Sequence, residues 1–374
     1  MESSSPILKK LAGGLKPSYY LVWILVFLFI TPMTFTHKSK KRYPWPVKKP
    51  FIIGNLYHTP ITLGQSFAYF HHGIDLLAKG GSPVYAVANG IGQMFYDFHD
   101  PNYRSGVVVQ SNNGLTWVYL HLIPASIPSS LDYMSGTKVK IHQGDQLGRI
   151  TNVNWRFTHL HLELWKGGRP INPMRYLKTL KDSKPPEIKE ILFCKNHSED
   201  YFQKDKEGTY VLSGDVDIVA NIRDLIPPSP YDLDPYKIAY KITPLDDDLS
   251  IGIPKTVVYK FDTLPGVENV PPVKDFNIDP FVIDLKGKIH VIFKFTGTYS
   301  TRNNYLNHKR QYYYVLTNSS NGKINDRLGF WDTDGVDDED DPVFPDGTYK
   351  VKVYAYDYYG NRSTRSIQVI LKNS

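Results

Sequence analysis

Cysteine is nearly missing: Cys194 stands alone among 374 residues, so no intramolecular disulfide can form. That excludes a disulfide scaffold and a multi-cysteine zinc finger, and leaves the compartment open because many exported bacterial proteins dispense with disulfides. A basic surface is missing too, despite a formal net charge of +7. Residues 1–50 carry nine lysines and arginines against the single acid Glu2. This surplus of eight exceeds the whole-chain value, so the remainder sits near −1 and nucleic acid is not an expected partner. Between about Phe51 and Tyr176 there is also no amphipathic helical stretch of any length, which argues against a helical or α/β domain there.

What is present points to strands. Hydrophobic residues make up 41% and aromatics 14%, with 27 tyrosines, a composition that buries cores rather than staying disordered, and the length allows two or three domains. From Phe51 to Tyr176 short runs such as SGVVVQS, LTWVYLHL and HLHLELW are separated by Gly, Asn, Asp and Pro, the pattern of antiparallel strands joined by turns. Pro44, Pro46 and Pro50 mark a linker over 37–50, and LKTLKDSKPPE marks a second over 177–187. Beyond it the strand pattern resumes. GTYKVKVYAYDYYGNRSTRSIQVIL alternates on both sides of YYGN, as a terminal hairpin of a β-sandwich does. Residues 188–374 are long for one sandwich of about 100 residues. One domain with an insertion and two domains both fit.

Tyr19 to Phe35 reads YYLVWILVFLFITPMTF, uncharged and preceded by Lys9, Lys10 and Lys16. One hydrophobic helix is expected over residues 1–36, as an export signal or a single membrane anchor. The flank Thr34-Phe35-Thr36 is no A-x-A-like cleavage site and favours an anchor, although the basic run after the block is contrary to the usual loop-charge bias of an anchor with its N-terminus inside. The rest of the chain is expected outside the cytoplasm, in the cell envelope or the extracellular space.

The chemistry concentrates in two stretches. In FHHGID, His71 and Asp75 would stand about 13 Å apart on a regular strand, so they can share an ion only if the chain bends, and Gly73 offers the freedom to bend. In HLHLE, His159 and His161 are two apart and face the same side, about 6.6 Å from each other on a strand. Ligands from His71, Asp75 and His161 leave a fourth position open, the mark of catalytic rather than structural zinc. An open zinc polarises a carbonyl and lowers the pKa of a bound water to about 7. His159 and His121, in VYLHL, are then at hand for proton transfer and oxyanion stabilisation.

H-x-G-I-D, then G-x-P-V-x-A-x-x-x-G from Gly81 to Gly90, then Y-L-H-L, then Gly136 to Gly148, then H-L-H-L-E resembles the lysostaphin/LytM-type zinc metallopeptidases in order and interval. The resemblance covers about residues 51–175. It implies a compact all-β metallopeptidase domain, zinc on His71, Asp75 and His161, and a catalytic pair of His159 and His121. The substrate it implies is peptide bonds in the bridges or stems of peptidoglycan. The loop before H-x-H, TNVNWRFT from Thr151 to Thr158, is bulkier than the small-residue loop usual in that family, which changes the expected substrate rim.

Plainer readings stand beside these. His72 fits a surface or supporting position, and Glu163 fits either an orienter of a neighbouring histidine or a surface pair. Taken alone, His121 fits a satisfied core histidine. The acidic stretch DTDGVDDEDD, Asp332 to Asp341, resembles a calcium loop but departs from an EF-hand, with Val343 at the twelfth position; a solvated loop is the simpler reading. His197, His290 and His308 show no ligand spacing. The expected architecture is therefore all-β: a hydrophobic helix, a metallopeptidase domain over 51–176 and a β-sandwich (Ig-like) region over 188–374. The expected function is an exported zinc metalloendopeptidase. The competing readings are an inactive LytM-like scaffold that binds or activates another wall hydrolase, and an adhesin-like surface protein.

Overall fold

The alternation read from the sequence becomes strands. The structure, a computed structural model, describes residues 42–62, 68–96, 104–131, 138–152, 158–196, 200–264, 283–284, 289–290, 293–294, 313–317, 319–320, 323–324 and 329–373. The apolar block Tyr19–Phe35, with its expected hydrophobic helix, lies outside the described residues, as do residues 153–157 of the loop before H-x-H, His197 and His308. Three short 3-10 turns are described, and no helix among the described residues is long and apolar enough to cross a membrane.

The first half is built on one eight-stranded sheet. Its strands are β1 (Ile52–Ile53), β2 (Gly73–Leu77), β3 (Gly90–Phe95), β4 (Gly106–Gln110), β5 (Leu115–Leu120), β6 (Val139–Ile141), β7 (His159–Lys166) and β8 (Arg169–Ile171). They run in the order β1-β2-β7-β5-β4-β3-β6 with β8 beside β7, and every pair is antiparallel. Period two divides the sheet into two faces. Leu160, Leu162 and Leu164 of β7, Ile74 and Leu76 of β2, Trp117 and Tyr119 of β5, and Val107 and Val109 of β4 are all buried in the core. The residues between the leucines and isoleucines, His159, His161, Glu163 and Asp75, share the opposite face. Burying one side chain of this size removes it from water at a gain of roughly 1.5–3 kcal/mol. A slip of one residue in β7 would put three leucines on the polar face, so the register is strongly held.

The second half has two five-stranded sheets. Its strands are β9 (Glu187–Lys195), β10 (Tyr210–Leu212), β11 (Asp215–Arg223), β12 (Lys237–Pro244), β13 (Thr256–Lys260), β14 (Tyr313–Val315), β15 (Gly347–Tyr356) and β16 (Arg362–Leu371). One sheet runs β9-β11-β14 and on to Phe293–Lys294, with Trp331–Asp332 paired to the start of β11. The other runs β10-β16-β15-β12-β13, where β10 and β16 are parallel. The terminal hairpin forms as read: β15 buries Tyr349, Val351, Val353 and Ala355 at alternate positions, and the turn uses Gly360 at φ +93°. In that turn Asp357 Oδ1 accepts from the Tyr359 and Asn361 amides, both at 2.8 Å.

The two halves are packed together and share one apolar core cluster. The loop Gly54–Thr59 is one place of contact. His58 stacks on Phe261 with ring centroids 3.5 Å apart and planes 2° from parallel. Thr59 Oγ1 donates to Asp234 Oδ2 at 2.6 Å, and Ser229 Oγ donates to the Ile53 carbonyl at 2.7 Å. Asn172 Nδ2 donates to the Phe261 carbonyl at 2.7 Å, and Arg175 pairs with Asp262 at 2.9 Å. The chain around both proline-marked segments is engaged as well: the Tyr43 amide donates to Tyr176 O and the Lys178 amide to Tyr43 O, each at 2.8 Å.

Phe261 is 1% exposed and forms the floor under His58. Phe261→Ala is expected to lower the unfolding free energy by about 3–5 kcal/mol, as large-to-small core substitutions do, read as a lower urea midpoint in tryptophan fluorescence.

Candidate metal centre and active site

Strand register brings the site together. In the β2–β7 pair His161 lies opposite Asp75 and His159 opposite Leu77. In the β7–β5 pair His161 lies opposite Leu120, so the next residue, His121, emerges beside it. His71 joins from the other side, two residues before β2 begins. The bend expected between His71 and Asp75 is present, and His71 Nε2 lies 3.0 Å from Asp75 Oδ1. The reason for Gly73 differs from the expectation. Its φ is not positive; instead a Cβ there would lie 2.4 Å from the Leu162 carbonyl oxygen and 3.0 Å from His161 Nε2. Glycine is required because β2 begins tight against β7, not for torsional freedom.

Three atoms form a small triangle: His71 Nε2 to His161 Nδ1 is 2.9 Å, His161 Nδ1 to Asp75 Oδ1 is 2.9 Å, and His71 Nε2 to Asp75 Oδ1 is 3.0 Å. The partners at the far side of each ring determine what those atoms are. His71 Nδ1 donates to the Leu56 carbonyl at 2.9 Å, and His161 Nε2 donates to Glu163 Oε1 at 3.0 Å. With those outward nitrogens occupied, each ring turns its other nitrogen into the triangle, beside a carboxylate oxygen. Asp75 Oδ2 accepts from Asn55 Nδ2, and Glu163 Oε2 accepts from the Trp165 indole at 2.6 Å. Metal-ligating histidines characteristically give their other N–H to a carbonyl or carboxylate in this way.

The electrostatics agree. Burial opposes ionisation of Asp75, yet the neighbouring imidazoles of His71 and His159 and the hydrogen bonds from His161 and His71 hold it well below the usual carboxylate range. Burial likewise disfavours charged His161, but Asp75 and Glu163 outweigh it and push the imidazole up to about 10. Glu163, buried too, is drawn down to about 2 by His161. The triangle thus calls for positive charge at its centre. Two imidazole nitrogens and one carboxylate oxygen are a ligand set that zinc takes, with bonds of about 2.0–2.2 Å, and the residues fit that ion.

His159 and His121 lie beside the triangle. His159 Nε2 is 3.6 Å from Asp75 Oδ1, and its ring lies 4.6 Å from that of His121 at 74°. His121 to His161 is 5.7 Å. His121 has φ +66°, a left-handed conformation for a residue with a Cβ, which costs on the order of 1–3 kcal/mol and concentrates at functional sites. Its backbone is pinned there by the Thr151 amide, which donates to the His121 carbonyl at 2.8 Å. All five residues singled out by sequence therefore meet in one place.

The secondary candidates divide. Glu163 orients His161 rather than forming a surface pair. His72 turns to Trp165, with rings 6.3 Å apart, and burial pushes it down to about 4 despite Glu163 nearby. In the acidic stretch Asp337 Oδ1 accepts from the Glu339 and Asp341 amides, while Asp332 and Asp334 cluster with Asp215 at an exposed position. Asn55 and the Leu56 carbonyl are contributors that sequence reasoning missed. GNLYHT carries no spacing signal, and only its pairing with the site reveals it: the Asp75 amide donates to Asn55 O at 3.0 Å and the His71 amide to Thr59 O at 2.9 Å.

Residues 69–173, a segment that runs from just before His71 to just beyond β8, match the family model described as Peptidase family M23. This segment is thus similar to the M23 peptidases, in line with the resemblance to the lysostaphin/LytM kind carried by its motifs. Over 105 residues the chain is 30% identical to the peptidoglycan DD-endopeptidase ShyA of Vibrio cholerae, covering 28% of this chain and 22% of that protein. The chain thus spans about a fifth of the length of this curated relative. Among solved structures, Helicobacter pylori Csd3 is 25% identical with a TM-score of 0.30, covering 39% of this chain and 37% of that one. The lysostaphin catalytic domain from Staphylococcus simulans is 20% identical with a TM-score of 0.27, covering 34% and 93%.

Glu163→Gln keeps the shape and removes the charge that orients His161. It is expected to weaken zinc binding about 10–100-fold, measured by competition with a chromophoric chelator, while leaving far-ultraviolet circular dichroism unchanged.

Proposed function

We propose that the chain is an exported zinc metalloendopeptidase that hydrolyses peptide bonds in peptidoglycan crosslinks or stems. The observation that carries this is the buried triangle of His71 Nε2, Asp75 Oδ1 and His161 Nδ1, with two further histidines on one side of it. The family match over 69–173 and the similarity to a peptidoglycan endopeptidase support the reaction class and the substrate. Export rests on the apolar block Tyr19–Phe35, as a signal or an anchor.

His71, Asp75 and His161 would hold zinc, which when bound supplies a Lewis acid and an acidified water. The chain's own groups do the rest. His159 and His121 divide two tasks: taking the proton of the attacking nucleophile, and donating a hydrogen bond to the oxyanion as the scissile carbonyl becomes tetrahedral. The proton then passes to the leaving amine. Asp75, held as a carboxylate, keeps His159 within reach of the centre, and the pinned His121 backbone fixes the second imidazole before substrate arrives. The C-terminal half acts as a brace, because its contacts with His58 and Thr59 steady the same loop that steadies His71 and Asp75.

His159→Ala is expected to retain one zinc and to lower peptide release from isolated cell walls by about 10²–10⁴-fold, followed by mass spectrometry of the soluble fragments. Asp75→Ala should lose the metal and the activity together, and zinc should not restore it. If His159→Ala released fragments at the wild-type rate, the assignment would be wrong. If the zinc-loaded wild type released none from several wall types, the scaffold reading would replace it.

A further inference from the structure

A second group of ligand atoms lies away from the zinc triangle, where the segment joining the two halves meets the C-terminal sheets. Asp182 belongs to that segment, Asp224 follows β11, and Asp357 opens the β15–β16 turn. Each offers a carboxylate oxygen, and the three oxygens all lie within 4.8 Å of one another. Asp224 is 0% exposed and Asp357 2%. Among the described residues no lysine or arginine forms an ion pair with any of them.

The hydrogen bonds divide these carboxylates into satisfied and unsatisfied oxygens. Both oxygens of Asp357 are acceptors: Oδ1 takes the Tyr359 and Asn361 amides and Oδ2 takes Asn361 Nδ2 at 2.6 Å. Asp224 Oδ1 takes the Leu225 amide at 2.9 Å, but its buried Oδ2 has no partner. Asp182 Oδ1 takes the Lys184 amide at 3.0 Å, and its Oδ2 is also buried without a partner. A buried acceptor left empty costs about 1–3 kcal/mol, and more when it is charged. Two buried carboxylate oxygens without a partner, in a cluster of three acids that no lysine or arginine neutralises, are unfavourable unless something positive lies among them.

We propose that Asp182, Asp224 and Asp357 form a structural site for a hard divalent cation, calcium, which clips the connecting segment onto the C-terminal sheets. The ligand set is all oxygen, unlike the nitrogen-rich zinc triangle, and calcium takes such oxygens at 2.3–2.6 Å, so ligands on opposite sides of the ion stand up to about 5 Å apart. The exposed group Asp215, Asp332 and Asp334 lacks buried, partnerless oxygens and is not assigned a role. Since the connecting segment also bears Leu177 in the shared core, calcium bound here would fix how the peptidase half is mounted on the sheets that brace it.

The test is thermal unfolding of the full chain, with zinc held constant, across calcium chloride from 1 µM to 10 mM, roughly the range of calcium modules from sensors to extracellular domains, against sodium chloride of equal ionic strength. A saturable rise in Tm is expected with calcium alone. Terbium luminescence sensitised by the neighbouring tyrosines should report the same site and be displaced by calcium. Asp224→Asn and Asp182→Asn should each abolish both signals while leaving zinc content at the wild-type value. Should Asp224→Asn fail to fold, Asp182→Asn, at a partly exposed position, decides alone. A wild-type Tm indifferent to calcium overturns the proposal, as does a calcium response that survives in Asp182→Asn. A Tm that falls as the pH is raised, without responding to calcium, also overturns it, since it would mean that a shared proton holds the carboxylates together.

Discussion

Two imidazole nitrogens and one carboxylate oxygen held within about 3 Å of one another and largely out of water are the constraint on which the rest of this structure turns. Such a triangle calls for positive charge at its centre. The partner of each group holds it in place: the Leu56 carbonyl and Glu163 accept from the outward nitrogens of the two rings, and Asn55 donates to the outward oxygen of Asp75. A cation at its centre would satisfy all three atoms, and the same geometry leaves His159 and His121 beside it.

The triangle is as much a product of sheet construction as of its own side chains. β7 alternates leucine with His159, His161 and Glu163, so the apolar packing that locks its register against β2 and β5 also sets the imidazoles opposite Asp75 and beside His121. Core and site are opposite faces of one strand. The loop Gly54–Thr59 then links the site to the second half of the chain: its backbone pairs with His71 and Asp75 on one side, while His58 and Thr59 meet Phe261 and Asp234 on the other. The positions of His71 and Asp75 thus depend on contacts between residues 175 positions apart.

The five residues that converge were legible because their signal is local or ordered: H-x-x-x-D, Y-L-H-L and H-x-H each carry a spacing, and their succession is far more specific than any one of them. The terminal hairpin was legible for a similar reason, since alternation on both sides of YYGN demands a turn. Gly73 was legible as special but for the wrong cause, because sequence shows a missing Cβ without showing the Leu162 carbonyl that would collide with it. Glu163 stood undecided between two roles until strand pairing set it against His161. Asn55 and Leu56 were invisible, as neither an asparagine in a loop nor a backbone carbonyl has a pattern.

By itself the sequence determined the period of each strand, hence which side chains share a face, and the chemical type and order of the candidate ligands. Both are properties of neighbouring residues along the chain, and covalent geometry enforces them. Tertiary structure alone decided that His71 and Asp75 close to 3.0 Å, that a loop braced by the C-terminal sheets orients them, and that Asp182, Asp224 and Asp357 converge. These depend on which strands pair and which surfaces are buried together. That is decided by the packing of the whole chain, and no short stretch of residues records it.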